Sequence, residues 1–526
     1  MSITRDKKIE ISIFQIPSSD NFHHPHSLLN LIFASKYYIM SSAIAQLTPN
    51  GLWANFNNLN AVPRGSKKED RVIQFMKDFG NSLGLETFED EIRNVIIRKP
   101  ATPGMENKQP IILQSHLDMV HQKNNDVAFD FDTQGIQMLI DGDWVRANGT
   151  TLGADNGIGV ATIMAILESK TIAHPAIEAL FTIDEETGMT GALGLKGGVL
   201  NGRILLNLDT ENDSEIDIGC AGGIDVTANG TYVEEKSAAE SVGLTITVKG
   251  LNGGHSGMDI HKGLGNANKI MNRILYSLVS NYSVNIASVN GGSLRNAIPR
   301  ESVAVLAVAK TSLDEVKTTI NTLTKEIAFE FKTTEPSLKI EVADVAAPAL
   351  VMNNQRAKQI VQCIYAAHNG VYRMSADMHD LVETSNNVAK VTIEGGKITI
   401  ACLTRSSVES SKMDLANQLK CTFELGGCDV SFAGSYPGWT PNVSSPILKV
   451  LVNVYEKLHG DKPEVVACHA GLECGILGSN YPGMDMISFG PTILGAHSPD
   501  ERVSISSVQK FWDYLMEILK NIPEKK

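Results

Sequence analysis

The chain has few cysteines, no long apolar run and no excess of positive charge, and each absence argues against a class of protein. Its 526 residues include seven cysteines, an odd number with no CxxC pair among them. This pattern excludes a disulfide-built scaffold and favours a reduced compartment. No apolar run reaches the roughly 18 residues that a membrane-spanning helix needs, so we expect no membrane partner. The formal net charge of −13 argues against a nucleic-acid partner.

The length of the chain predicts more than one domain, because 526 residues are too many for one compact hydrophobic core. Hydrophobic residues make up 43% and charged residues 20%, which are ordinary values for a globular protein. Residues 1–39 are polar and contain a histidine cluster at His23, His24 and His26. We predict that they form a flexible extension before a domain that begins at residue 40, and that the protein is cytoplasmic.

Strand-like apolar runs alternate with helical patterns in the first part of the chain. The strand-like runs are residues 95–97, 110–114, 179–183 and 204–208, and the helical patterns cover 52–85 and 158–167. Strands that alternate with helices are typical of an α/β domain in which most strands are parallel. We therefore predict a mixed, largely parallel sheet with helices on both faces.

The pattern changes in the middle of the chain. Residues 222–435 show alternating, half-polar strands, with two long helical stretches near 264–280 and 353–368. The α/β pattern then resumes and continues to the end of the sequence. We predict that the α/β domain is discontinuous, formed by residues 40–221 and 436–526. Residues 222–435 would form an inserted α+β domain that acts as a lid or as a dimerisation module.

Five potential metal ligands are scattered through the predicted α/β domain, and most of them directly follow a strand-like run. They are His116, Asp155, Glu186, Asp209 and His497. Two imidazoles and three carboxylates suit a pair of zinc-like ions that share one bridging carboxylate. Two divalent cations bring about +4 and three carboxylates remove about 3, and the remaining charge lowers the pKa of a bound water. This set of residues predicts a hydrolase.

Each of these residues also has an ordinary structural interpretation. His116 and Asp118 are two positions apart, so at a strand end they face the same side, where Asp118 would orient the imidazole. Both would equally suit a solvated loop. Asp155 begins a helical pattern and would serve as its cap, a role compatible with metal binding. Glu185 and Glu186 are either a charged loop or one ligand beside one general base.

Several short motifs, in this order, resemble the dizinc aminopeptidase/aminoacylase superfamily of metallopeptidases, and within it the aminoacyl-histidine dipeptidases. The motifs are Ser115–Met119, Leu152–Gly157, Asp184–Gly188, Asn207–Thr210 and Ala496–Asp500, with further matches at Gly253–Gly257, Leu294–Pro299 and His469–Cys474. The resemblance covers residues 45–523. It implies two divalent metal ions, with zinc as the first choice and cobalt or manganese as substitutes, and it implies a homodimer.

The resemblance also implies a role for each residue. One metal ion would be held by His116, Asp155 and Asp209, and the other by Asp155, Glu186 and His497. Glu185 would be the general base. Asp118 would be the second catalytic residue, the carboxylate that orients the ring of His116. In the lid, His255 would help to polarise the scissile carbonyl, which similar proteins often do across a dimer; a histidine that serves only in a turn is the alternative.

Two further lid residues, Asn296 and Arg405, would bind the C-terminal carboxylate of the substrate. A surface salt bridge is the alternative for Arg405. The predicted activity is hydrolysis of unblocked L-dipeptides, including those of the Xaa-His type. The alternatives are an N-acyl amino acid deacylase or a tripeptide-cleaving aminopeptidase that uses the same site, and a non-catalytic binding protein on the same fold.

Overall fold

A computed structural model describes residues 43–525, so the predicted extension at residues 1–39 lies outside the described residues. The helical pattern predicted over 52–85 forms two helices instead of one, because Pro63 and the residues that follow it interrupt the hydrogen-bond ladder. The elements of this first part are α1 (Asn50–Asn60), α2 (Asp70–Ser82), β1 (Glu86–Glu89), β2 (Val95–Lys99), β3 (Ile111–His116), β4 (Met138–Asp141), β5 (Trp144–Ala147), α3 (Ala154–Glu168), β6 (Ile177–Thr182), α4 (Glu185–Gly188), α5 (Thr190–Gly194), β7 (Ile204–Asn207) and β8 (Glu215–Cys220).

The middle of the chain folds into a separate sheet with helices on one face. Its strands are β9 (Gly222–Thr231), β10 (Glu234–Lys236), β11 (Ser241–Lys249), β12 (Gly254–His255), β13 (Val284–Gly291), β14 (Ala297–Ile298), β15 (Ser302–Ala309), β16 (Lys339–Val345), β17 (Leu350–Met352), β18 (Gly370–Met374), β19 (Val382–Glu394), β20 (Lys397–Ser406) and β21 (Asp429–Tyr436). Its helices are α6 (Ala267–Asn281), α7 (Leu313–Glu330), α8 (Asn354–Ala366) and α9 (Glu409–Leu425).

The last part of the chain returns to the first sheet. Its elements are α10 (Pro446–His459), β22 (Glu464–Cys468), α11 (Glu473–Asn480), β23 (Asp485–Ser488), β24 (Ile493–Leu494), β25 (Arg502–Ser504) and α12 (Ile505–Lys520). The first sheet has the order β1-β2-β6-β3-β7-β23-β8-β22. Strands β6, β3, β7 and β23 are parallel neighbours, whereas β1 and β2 are antiparallel. Two strands from beyond the insert therefore complete this sheet.

Both faces of the first sheet are covered. On β3, Ile111 and Leu113 belong to a core packed under α3, α10 and α12, while Ile112 belongs to a second core on the opposite face. That second core contains apolar residues of α5 and α11. Alternate residues of one strand thus enter different cores, which explains why the run is apolar throughout. The predicted fold class is confirmed; the residue limits of the domains stay predictions.

The inserted domain consists of two similar units joined edge to edge. The first unit runs β11-α6-β13-β15-α7-β16 and has the strand order β16-β11-β15-β13. The second consists of β9, α8, β19, β20, α9 and β21, with the order β19-β20-β9-β21. Each is an antiparallel β-α-β-β-α-β arrangement, and the first is inserted between β9 and α8 of the second. The edge strands β13 and β19 pair antiparallel and create one continuous sheet.

The two units also pack through their first helices, α6 and α8. Lys269 of α6 donates hydrogen bonds to three carbonyls at the C-terminal end of α8, and Asn272 donates to Val361 O at 3.0 Å. A single hydrophobic core contains residues of both units. The pair therefore forms one packed unit, named the lid after its predicted role, although its halves are interleaved in the sequence.

The chain crosses between the two domains twice, and the crossings lie side by side. The backbones of Cys220 and Trp439 exchange two hydrogen bonds of 2.9 Å. A Cβ atom at Gly222 would lie 2.4 Å from Gly438 N and Tyr436 O, so only glycine permits this close approach. All seven cysteines are free. Of the helices in the described range, none combines the length and apolar character needed to span a membrane.

Candidate metal centre and active site

Three adjacent parallel strands bring most of the predicted ligands together. His116 is the last residue of β3, Glu185 and Glu186 follow β6, and Asp209 lies two residues after β7. The strand order β6-β3-β7 places these carboxyl ends side by side, at the edge where ligands bind in open α/β sheets. Asp155 reaches the same place from the start of α3.

Asp155 lies at the centre of the cluster. Its Oδ1 is 3.1 Å from His116 Nε2, and its Oδ2 is 3.1 Å from His497 Nε2. His116 Nε2 is also 3.5 Å from Asp209 Oδ1, and His497 Nε2 is 2.9 Å from Glu186 Oε2. The ligand atoms therefore form two groups of three that share Asp155, and within each group they lie within 4.8 Å of one another. These are the same two sets that the motif resemblance implies.

The chemistry of this donor set fits divalent cations. Three carboxylates crowded into a largely buried cluster repel one another unless positive charge compensates them. Glu186 Oε1 is buried and has no hydrogen-bond partner among the described residues, which leaves an oxygen free for a metal. Imidazole and carboxylate together are the donors that zinc and related divalent ions accept. The residues present therefore fit a two-metal site.

The pKa values reflect the crowding. Hydrogen bonds to Asp155 and Glu186 raise the pKa of His497 to about 11. Burial would raise the pKa of Asp155, but hydrogen bonds from His116 and His497 outweigh it and lower that pKa. Burial raises the pKa of Glu186. Burial raises the pKa of Glu185 more strongly, and the negative charge of Asp209 raises it further. The positive charge of protonated imidazoles thus compensates the negative charge of the carboxylates. A bound metal ion would supply that positive charge instead and would displace the protons.

Asp118 connects the imidazole of His116 to the backbone of the two glutamates. Its Oδ1 lies 3.3 Å from His116 Nδ1 and accepts the Glu185 N–H at 3.0 Å. Its Oδ2 accepts the Glu186 N–H at 3.2 Å and the Ser66 hydroxyl at 2.8 Å. The carboxylate is fully buried, so these partners hold it in one orientation. It therefore fixes the ring of His116 and the turn that carries both glutamates.

A sharp turn after β6 directs Glu185 and Glu186 toward the cluster. Asp184 has a φ of 52°, in the left-handed region, and its carboxylate accepts hydrogen bonds from the hydroxyls of Thr187 and Thr190. Glu185 lies with His116 and Glu186 in a further group of close oxygen and nitrogen atoms. The turn thus explains how two successive acidic side chains reach one site.

A second polar cluster lies in the lid, around Arg405. This guanidinium is 4% exposed and donates to the Tyr436 hydroxyl at 2.9 Å and to Ser256 Oγ at 3.4 Å. Its Nη2 lies 3.4 Å from His255 Nε2. The surface salt bridge considered for Arg405 is therefore wrong, because the side chain is buried and no acidic group of the described residues pairs with it.

His255 is held as a neutral ring. Its Nδ1 accepts the backbone N–H groups of Gly257 and Met258 at 3.3 and 3.1 Å, which assigns the proton to Nε2. Burial and the nearby Arg405 lower its pKa. Asn296 is exposed beside this ring, and its carbonyl accepts the Ser256 N–H at 2.8 Å. His255 and Arg405 thus present converging donors, which suit a carboxylate or a carbonyl oxygen.

The segment His469–Glu473 connects the lid cluster to the metal cluster. His469 Nε2 lies 2.7 Å from the hydroxyl of Ser385 in the lid. Four residues later, Glu473 accepts hydrogen bonds of 2.6 Å from Gln114 and from Thr182, which lie on β3 and β6 beside the predicted ligands. Four residues span at most about 14 Å, which limits how far apart these two sets of contacts can lie.

Several residues at the site were not predicted from the sequence. Glu501 contacts the loop that carries Asp155, and Arg64 lies on the other side of that loop. Tyr436 accepts a hydrogen bond from Arg405, and Glu473 accepts one from Gln114 of β3. The only signal for Glu501 is its position four residues after His497. Arg64 has no motif around it, and its role depends on contacts across the fold.

The chain is similar to several known peptidases. The sequence profile of Peptidase family M20/M25/M40 matches residues 112–521. The chain is 43% identical over 484 residues to the cytosol non-specific dipeptidase of Escherichia coli (strain K12), covering 92% of this chain and all of that protein. It superimposes on the crystal structure of aminoacylhistidine dipeptidase from Vibrio alginolyticus with a TM-score of 0.88 and 44% identity, covering 92% of this chain and 99% of the other.

A more distant structure shares the fold alone. A tripeptidase from Staphylococcus aureus aligns with a TM-score of 0.53 and 16% identity, over 90% of this chain and 99% of the other. The profile match, the high identity and the near-complete coverage of both chains lead to one assignment. The chain belongs to Peptidase family M20/M25/M40.

Proposed function

We propose that this protein is a two-metal dipeptidase that hydrolyses unblocked L-dipeptides, including those of the Xaa-His type. The observation that carries the proposal is the pair of ligand sets that share Asp155, in a chain that belongs to a metallopeptidase family. The names of its relatives, a cytosol non-specific dipeptidase and an aminoacylhistidine dipeptidase, support the substrate class. When bound, two divalent ions would polarise the peptide carbonyl and lower the pKa of the attacking water.

Each metal ion would have three protein ligands. His116, Asp155 and Asp209 would hold the first, and Asp155, Glu186 and His497 would hold the second, so both ions would share Asp155. The mixture of imidazole and carboxylate favours zinc, and cobalt or manganese would substitute. Asp118 would keep the His116 ring in the orientation that ligation requires, through the 3.3 Å contact with Nδ1.

Glu185 would transfer the protons of the reaction. It has no ligand role in the two sets, and burial raises the pKa of its carboxyl group. A carboxylate with a raised pKa accepts a proton from the attacking water more readily than an exposed one. The same proton would then pass to the amine of the leaving amino acid, because the amine is a stronger base than the carboxylate.

The lid cluster would recognise the substrate. The Nε2–H of His255 would donate to the scissile carbonyl, and Arg405 with Asn296 would bind the C-terminal carboxylate. Arg405 is suited to this because its guanidinium is buried, already positioned by Tyr436, and paired with no acidic group of the described residues. A fixed carboxylate site near the metal centre would restrict the enzyme to short, free peptides.

The alternatives keep the metal site and change the substrate. An N-acyl amino acid deacylase would accept a blocked amine, and a tripeptide-cleaving aminopeptidase would accept a longer chain. Alanyl-histidine, its N-acetyl derivative and a matching tripeptide distinguish the three when each is assayed with zinc-loaded protein. We expect hydrolysis of the free dipeptide, and preferential hydrolysis of the acetylated compound or of the tripeptide would contradict the proposal. The homodimer and the cytoplasmic location stay predictions.

A further inference from the structure

Glu501 makes an unusual set of contacts with the loop that carries Asp155. Its Oε2 accepts the N–H groups of Leu152 and Gly153 at 2.7 and 3.0 Å, and its Oε1 accepts those of Ala154 and Asp155 at 2.7 and 3.3 Å. The side chain is 2% exposed. Four successive backbone donors, at the start of α3, thus converge on one buried carboxylate.

Arg64 holds the same loop from its other side. Its guanidinium is buried and donates to Gly153 O, and through its other amino group to Leu117 O and Asp118 O, both at 3.1 Å. Gly153 has a φ of 71°, and a Cβ atom there would lie 2.4 Å from the Arg64 guanidinium. The loop is therefore fixed between a buried anion and a buried cation, and the cation also contacts the chain near His116.

We propose that Glu501 is a positioning residue for the bridging ligand, and that Arg64 completes the clamp. The inference rests on the two-metal site proposed above. The carboxylate of Asp155 has to face both groups of ligands at once, so a small rotation of the loop would remove it from one of them. Glu501 directly fixes the backbone of Asp155 and of the three residues before it.

The position of Glu501 in the chain gives this clamp a second consequence. His497, a proposed ligand of the second ion, lies four residues earlier in the same loop, between β24 and β25. One short segment from beyond the insert thus supplies a ligand and orients the bridging residue. An acceptor that served only to cap α3 would need no such link to the metal cluster.

Glu178 provides a matched control. It is 5% exposed, accepts the N–H groups of Asn201 and Gly202 at 2.7 and 2.8 Å, and pairs with Arg98 at 3.0 Å. It lies near the start of β6, at the opposite end of the strand from the metal cluster. Glu178→Gln and Glu501→Gln therefore remove the same kind of contact, but only one of them near the site.

Zinc binding to the metal-free full-length chain, measured by competition with a chromophoric chelator, tests the proposal, with thermal unfolding of the metal-free proteins alongside. We expect Glu501→Gln to weaken zinc binding by about 10- to 100-fold, the range seen when partners of metal ligands are removed. Glu178→Gln should stay within about twofold of the wild type. Both variants should unfold at a lower temperature than the wild type.

Equal zinc affinity for Glu501→Gln, Glu178→Gln and the wild type would overturn the proposal and leave Glu501 as a structural cap. If Glu501→Gln does not fold, Glu501→Asp, which keeps the charge and shortens the reach, is measured by the same criterion. Wild-type affinity in that variant would overturn the proposal, and a weakening of tenfold or more would support it. A wild-type chain that binds no zinc would contradict the two-metal function itself, which is a separate result.

Discussion

Replacement of His469 by glutamine should make the stability of the protein less sensitive to acid. The imidazole is 6% exposed and contacts the lid through Ser385, and its Nδ1 has no hydrogen-bond partner among the described residues. Burial, together with the charge of Arg405, lowers the pKa of His469 to about 3. In the unfolded chain the same group titrates near 6.5.

The sign and size of the effect follow from these two pKa values. Between pH 6.5 and 3 the unfolded chain binds this proton and the folded chain does not, so acid favours unfolding. The neutral, buried His469 therefore costs the folded state nothing above pH 6.5. As the pH falls toward 3, the free energy of unfolding decreases progressively, because only the unfolded chain gains the proton. Between pH 7 and pH 5 the loss from this one group amounts to about 2 kcal/mol of the free energy of unfolding.

The measurement is urea unfolding at pH 7 and pH 5, followed by circular dichroism, for the wild type and for His469→Gln. Glutamine can keep the hydrogen bond to Ser385 but does not titrate, so its loss between the two pH values should be smaller by about 2 kcal/mol. His379→Gln is the control, because that histidine is 93% exposed in a neighbouring lid loop and its removal should change nothing. An unchanged pH dependence in His469→Gln would refute the reasoning.

Three further predictions concern the lid cluster. Arg405→Lys replaces a planar fork by a single ammonium, so kcat/KM for a free dipeptide should fall by tenfold or more, by the ~1.5–3 kcal/mol of a charged hydrogen bond. A dipeptide with an amidated C-terminus should lose much less, and steady-state kinetics with equal losses on both would contradict carboxylate binding. Tyr436→Phe removes the 2.9 Å hydrogen bond to Arg405 and should raise KM about three- to tenfold with little change in kcat, whereas an unchanged KM would show that Arg405 is positioned without it. Because the segment His469–Glu473 links the lid to β3 and β6 within one chain, specific activity should stay constant from nanomolar to micromolar enzyme, and a fall on dilution would mean that a second copy supplies part of the site.

The sequence was sufficient to predict that the proposed ligand side chains lie together, because these residues mark local transitions. His116, Glu186 and Asp209 each follow an apolar run closely, and the carboxyl ends of parallel strands meet at one edge of a sheet. Chemistry and topology thus point to the same residues. The residue types alone, two histidines and three acids, then restrict the metal to zinc and related divalent ions.

The clamp around Asp155 could not be predicted in this way. Glu501 is 346 positions away from Asp155 in the chain, and apart from its position four residues after His497 nothing around it distinguishes it from an exposed glutamate. Arg64 interrupts a helical pattern and acts through backbone carbonyls, which have no sequence signature. Such contacts depend on tertiary packing, which local patterns do not encode.

The doubled lid was also hidden, because its first unit is inserted into its second. Strand β9 pairs with β20, so Gly222 is opposite Ser406, and the residues between them form most of both units. Local patterns predict the helices α6 and α8 but give no indication that the two are equivalent elements. The helices α7 and α9 were not predicted from the sequence.

The most direct test of the account is a zinc titration of metal-stripped protein, with hydrolysis of a free dipeptide as the readout, for the wild type and for Glu185→Gln. We expect wild-type activity to rise until two equivalents of zinc are bound. The variant should bind two equivalents as well, because Glu185 is in neither ligand set, and should show at most about a thousandth of the activity. Full activity with one equivalent, or near-normal turnover in Glu185→Gln, would contradict the two-metal mechanism with Glu185 as its base.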